Sequence, residues 1–203
     1  MAQQYQLAES KNGTHIMQRL DLTRRLVERL DRGEAIVSGI GNSSFDLSAF
    51  PRPENFYMMG SMGLASSIAL GVALAQPERR VFAVEGDGSV LMNLGTFATI
   101  ASVEPANLAI VVWDNGAYQI TGNQPTATAG AADIVAIARG SGIEASWWAR
   151  DEQDFEQMIE RARDQAGPFV IAARVDNGDA HHRPERDPVI LKDRFMRGIG
   201  AKG

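Results

Sequence analysis

Four short stretches of this chain are apolar with almost no polar interruption: AIVSGI at 35–40, VFAV at 81–84, LAIVVW at 108–113 and FVIAA at 169–173. A strand that alternates apolar and polar residues can leave one face in water. A strand that is apolar throughout must bury both faces. Between these stretches lie segments with apolar residues at helical spacing: 16–30, 64–74, 90–102, 131–138 and 151–165. Strands covered on both sides and separated by helices predict an α/β fold: a doubly wound, mostly parallel sheet flanked by helices. FYMM at 56–59 and residues 142–148 read as two further strands, Asp151 as a helix N-cap, and 189–199 as a final helix.

A length of 203 residues with 44% hydrophobic side chains can bury one such core without a metal or disulfide staple. Residues 1–13 read as a flexible polar segment, 14–176 as the folded domain, and 177–203 as a polar tail carrying the last helix. With no cysteine, disulfides, thiol nucleophiles and iron–sulfur ligation are excluded together. A net charge of −5 gives no footprint for nucleic acid. No apolar run approaches the ~20 residues that span a bilayer, and the N-terminus lacks a basic-then-apolar leader. The expectation is a cytoplasmic protein with neither nucleic-acid nor membrane partners.

The sharpest local signal is Gly86-Asp87-Gly88-Ser89, directly after the strand RVFAV. Two glycines let the backbone turn sharply and approach a ligand closely. The helix that follows aims its unpaired N–H groups and partial positive charge at this turn, which suits a phosphate. Asp87 would repel a phosphate unless a cation lay between them, so it reads as a Mg²⁺ ligand. A second signal, Asp114-Asn115-Gly116-Ala117-Tyr118, follows the strand LAIVVW. The intervening helix runs out by ~20 Å and the strand returns by as much, so Asp87 and Asn115 should emerge side by side at the carboxyl rim. A third, Gly60-Ser61-Met62-Gly63, joins a predicted strand to a helix of small residues.

GDGS followed by DNGAY resembles the signature of the thiamine diphosphate (ThDP) enzymes. In that family the aspartate, the second asparagine and a carbonyl two residues on hold the metal. The resemblance implies Asp87, Asn115 and the Ala117 carbonyl as metal ligands, with Gly86, Gly88, Ser89 and Tyr118 around the diphosphate. Asp114 stands where the family has its first asparagine. The resemblance also implies that Met62 wedges beneath the thiazolium, that the Gly60 carbonyl receives the aminopyrimidine, and that Ser61 shares the turn. Tyr118 and Thr121 are candidates to face the substrate, and Gln119 to Thr128 to close over the site.

Residues 34–174 are similar to the branch of the family that decarboxylates sulfopyruvate or phosphonopyruvate. The implied cofactors are ThDP and Mg²⁺, and the implied substrate a small 2-oxo acid. These enzymes use two domains of ordinary size, and this chain has room for one. The motifs present belong to the diphosphate domain. A separate pyrimidine-domain (α) subunit would supply the catalytic glutamate, giving a hetero-oligomer with active sites at subunit interfaces. Other two-chain ThDP enzymes, such as carboligases of the acetolactate synthase type, and a non-catalytic ThDP-binding module are the rival readings.

Four other features read as structural. Gly39-Ile40-Gly41-Asn42-Ser43-Ser44 looks like a dinucleotide fingerprint but lacks its third glycine and the acidic residue beyond. His181-His182 lack a third metal ligand. Trp147-Trp148 read as core or interface and Arg79-Arg80 as solvated.

Overall fold

A computed structural model describes residues 11–31 and 33–201. In chain order the elements are α1 (Arg19–Glu28), β1 (Ala35–Ser38), α2 (Asn42–Leu47), β2 (Asn55–Tyr57), α3 (Ala65–Ala75), β3 (Val81–Gly86), α4 (Asp87–Met92) and α5 (Gly95–Val103). They continue with β4 (Leu108–Asp114), β5 (Ala117–Tyr118), β6 (Gln124–Pro125), α6 (Ile134–Gly140), β7 (Ser146–Ala149), α7 (Glu152–Asp164), β8 (Phe169–Arg174) and α8 (Pro188–Gly198). Six strands form one parallel sheet in the order β2-β1-β3-β4-β8-β7, while β5 and β6 make a small antiparallel ribbon.

The unbroken apolar runs are explained by burial on both sides. Every residue of β4 is buried, and β1 likewise. Alternate side chains feed two separate cores. Ala35, Val37, Val81, Ala83, Ile110 and Val112 pack with α3, α5, α6 and α8 through Ala69, Phe97, Ile134 and Phe195. Their neighbours Ile36, Phe82, Val84, Val111 and Trp113 pack with α1 and α7 through Leu22, Leu26, Phe155 and Ile159. Each such fully buried branched or aromatic side chain contributes about 1.5–3 kcal/mol. The α/β doubly wound reading is the observed architecture.

The differences from the sequence reading are local. The helix expected over 90–102 is two helices. Asn93 leaves helical geometry at φ −144°, ψ 53° and donates its side-chain amide to the Gly63 carbonyl at 3.1 Å, breaking the run. The helix expected from 131 starts at Ile134, because Asp133 caps it by accepting from the Ala136 N–H. The last strand before α7 is confined to Ser146–Ala149, after a turn at Gly142. Trp148 is core, with its indole N–H donated to Asp133 at 2.9 Å, and Trp147 lies half-buried against Phe169. Of the N-terminal segment, residues 1–10 lie outside the described residues. Lys11 donates to the carbonyls of Thr128 and Gly130 at 2.8 and 2.6 Å. Among the described residues no helix is long and apolar enough to cross a membrane.

Candidate functional site

The carboxyl ends of β3 and β4 are neighbours, with Gly86 in register with Trp113. The chain leaves them into α4 and into the turn before β5, so Asp87 and Asn115 come to one rim. A cavity of about 120 Å³ opens there, and Met62, Gly86, Asp87, Gly88, Ser89, Asn115, Ala117, Tyr118 and Thr121 all line it. Gly60 and Ser61 are exposed and outside this lining, Ser61 in left-handed geometry at φ 58°.

Asp87 is 1% exposed. Thr126 and Thr128 both donate to its Oδ2, at 2.5 and 2.7 Å. Oδ1 has no hydrogen bond among the described residues, so one oxygen is fixed by protein and the other is available to a ligand. Asn115 is held as firmly: its Oδ1 accepts from the Ala117 N–H at 3.2 Å and its Nδ2 donates to Asn177 at 2.7 Å. The carboxylate, the amide oxygen and the Ala117 carbonyl are hard donors of the kind Mg²⁺ prefers.

Gly88 is required by contact. A Cβ there would lie 2.4 Å from Tyr118 Cε1, so only glycine lets the tyrosine ring rest on the turn. The first-turn N–H groups of α4 have no acceptor within the helix. Ser89 offers the cavity its backbone, because its hydroxyl already accepts from the Gly63 N–H at 2.9 Å. Arg19, 4% exposed and paired with buried Asp46 at 2.7 Å, brings a cation to the lining. The donor set, the glycine turn and this cation together fit a metal-bound diphosphate.

Asp114 sits beside this arrangement. Its Oδ1 lies 2.8 Å from the Thr128 hydroxyl and accepts from the Gly116 N–H at 3.0 Å. Burial, and then the neighbouring Asp87 carboxylate, hold its pKa above the ordinary carboxylate value. Asp114→Asn keeps the acceptor oxygen and removes the like charge. It should raise the thermal midpoint of the metal-free chain by about 2–4 °C; an unchanged or lower midpoint by scanning calorimetry would contradict the crowding.

Several of these residues were not legible beforehand. Thr126 and Thr128 lie at the end of the 119–128 stretch expected to close over the site, but only the fold turns them under Asp87. Thr128→Val should weaken Mg²⁺ binding by about 10–100-fold, with Thr128→Ser close to wild type, as for other groups that orient metal ligands; titration calorimetry reads both. The GIGNSS stretch also enters the site, though not as a dinucleotide fingerprint. Ile40, Asn42 and Ser43 line the cavity, and Gly41, at φ +72°, passes so close to Ile120 that a Cβ would meet it at 2.9 Å. The glycines at 39 and 41 were the available signal. His181 and His182 join no metal-binding cluster among the described residues.

Hard oxygen donors thus stand beside a glycine turn at the carboxyl rim of a parallel sheet, an arrangement that fits an enzyme of metal-bound diphosphate. Residues 39–173 match the family model described as thiamine pyrophosphate enzyme, C-terminal TPP binding domain. The β subunit of sulfopyruvate decarboxylase from Methanocaldococcus jannaschii is 40% identical over 183 residues, covering 89% of this chain and 96% of that one. Phosphonopyruvate decarboxylase from Streptomyces viridochromogenes is 38% identical over 87% of this chain, which spans only 45% of that protein. Benzoylformate decarboxylase from Polynucleobacter necessarius shares the fold, with a TM-score of 0.69 at 18% identity over 89% of this chain and 36% of that one. The chain belongs to the thiamine pyrophosphate enzymes, in the group that contains the sulfopyruvate and phosphonopyruvate decarboxylases. It is a chain of a ThDP-dependent decarboxylase, a carboxy-lyase, whose cofactor is ThDP.

Proposed function

We propose that this chain is the diphosphate-binding subunit of a two-chain decarboxylase that converts sulfopyruvate to sulfoacetaldehyde and CO₂. The observation that carries the reading is the common rim on which Met62, Asp87 and Asn115 line one cavity. Residues 14–176 form the ThDP diphosphate-binding domain, and 177–203 a tail whose Asn177 steadies Asn115. Asp87, Asn115 and the Ala117 carbonyl hold Mg²⁺. The backbone of Gly86, Gly88 and Ser89 receives the diphosphate, with Tyr118 packed on the turn. Met62 supports the thiazolium and excludes water from it, Gly60 and Ser61 meet the pyrimidine edge, and Tyr118 and Thr121 face the substrate. When bound, ThDP supplies the carbanion chemistry by which a 2-oxo acid loses CO₂.

Two facts support a second chain. This one spans nearly all of a β-subunit relative but under half of the phosphonopyruvate decarboxylase. Met59, Leu64, Ile68 and Met92 are large apolar side chains left 36–61% exposed near the Met62 turn, as a surface awaiting a cover would be. A pyrimidine-domain (α) subunit would supply that cover and the catalytic glutamate. The test is co-expression with the candidate α chain and assay of sulfopyruvate, phosphonopyruvate and pyruvate. A kcat/KM at least ~10-fold higher for sulfopyruvate, or about 1.4 kcal/mol of discrimination, is expected. Preference for phosphonopyruvate would favour the second relative's chemistry. ThDP binding without turnover of any 2-oxo acid would leave a non-catalytic module.

A further inference from the structure

Glu85, immediately before Gly86, is 1% exposed, and no lysine or arginine among the described residues forms an ion pair with it. An unpaired buried carboxylate is costly unless hydrogen bonds satisfy it. Its partners lie at the start of α3. That helix has no side-chain cap of its own, since Leu64 occupies the N-cap position. Its first N–H groups, on buried Ala65 and Ser66, would otherwise be unmet. Glu85 reaches across from β3 and accepts from the Ser66 N–H at 2.7 Å. A negative charge at a helix N-terminus is also favourable.

Glu85 directly precedes Gly86, so this bond joins the start of α3 to the strand end that leads into the diphosphate turn and Ser89. Ser89 in turn accepts from the Gly63 N–H at 2.9 Å, and Asn93 donates to the Gly63 carbonyl at 3.1 Å. Gly63 is left-handed, at φ +91°, and a Cβ there would come within 3.1 Å of the Ser89 carbonyl oxygen. The Met62 turn is therefore gripped on its following residues, Gly63 and Ser66, by side chains from β3 and the α4 segment. Glu85 is the member that bonds α3 while sitting in the strand end directly before the diphosphate turn.

Resting on the function proposed above, we infer that Glu85 is a positioning residue for catalysis: by tying the start of α3 to the end of β3, it fixes Met62 relative to the diphosphate turn. Glutamine can keep this role, because its carbonyl oxygen accepts from the Ser66 N–H as the carboxylate does. Alanine cannot.

The experiment uses the assembled enzyme with ThDP and Mg²⁺, comparing wild type, Glu85→Gln and Glu85→Ala. Glu85→Ala should lower kcat by ~10–100-fold, the cost of misplacing a supporting group by about 1 Å, with KM and ThDP affinity within about threefold of wild type. Its bound-cofactor circular-dichroism signal should change, and the amides of residues 63–66 should exchange hydrogen faster. Glu85→Gln should recover kcat to within about threefold, as expected when hydrogen bonds rather than charge carry the effect. If Glu85→Ala fails to assemble, Glu85→Met removes the acceptor of the Ser66 N–H while keeping the side-chain volume and should give the same split of kcat from KM.

Faster exchange with unchanged kcat and dichroism would reduce Glu85 to a helix cap and overturn the inference. So would a glutamine variant as impaired as alanine, or loss of ThDP affinity in step with kcat. Failure of the wild-type enzyme to bind ThDP would overturn the proposed function first, and this inference with it.

Discussion

Asp87→Ala should abolish the Mg²⁺-dependent part of ThDP binding, with apparent affinity falling by at least about 100-fold, more than the loss of a group that merely orients a ligand. The size follows from the arrangement around this side chain. Thr126 and Thr128 hold one of its oxygens, and the chain offers no other carboxylate in the cavity lining. A diphosphate carries several negative charges, and without a metal it would face the nearby Asp114 unscreened. Alanine is compatible with the first turn of a helix, so the fold should survive. The variant should therefore keep a cooperative thermal transition while titration calorimetry with ThDP and Mg²⁺ gives no measurable heat. Retained affinity that still depends on Mg²⁺ would move the metal elsewhere.

The second large effect concerns the chain in isolation. Purified without a partner, it should show no detectable decarboxylation of sulfopyruvate, phosphonopyruvate or pyruvate, even with saturating ThDP and Mg²⁺. On the proposed reading it binds the diphosphate end and supports the thiazolium, but nothing in the cavity lining can act as the glutamate of a pyrimidine site. General acid–base assistance alone is worth about 10²–10⁴-fold, so its absence should take the rate below detection. Addition of the α chain should restore turnover, and the burial of Met59, Leu64, Ile68 or Met92 on assembly can be followed by hydrogen exchange. Steady turnover by the chain alone, after a contaminating partner is excluded, would defeat the two-chain reading.

Much of the fold was legible because its strongest signals are one-dimensional. A run such as LAIVVW has no polar position to leave in water, so β4 and its neighbours had to be covered on both sides. Asn93 was not legible as a helix breaker, since it leaves the helix for a partner, Gly63, that lies 30 residues back in the chain. The same reasoning separates the parts of the site. Asp87 and Asn115 each follow a strand directly, so strand pairing alone predicts their shared rim. Thr126, Thr128, Asn42 and Glu85 act through contacts 19 or more residues away along the chain, which no spacing rule encodes. GIGNSS reads as an incomplete dinucleotide fingerprint with a structural role, because its place in this cavity depends on Ile120 packing against Gly41.

The most direct measurement is a crystal structure of the assembled enzyme with ThDP and Mn²⁺ in place of Mg²⁺, using the anomalous signal to locate the ion. The expected peak lies about 2.0–2.3 Å from the Asp87 carboxylate, the Asn115 side-chain oxygen and the diphosphate. An ion that binds the diphosphate without touching residues 87 and 115 would contradict the proposed site.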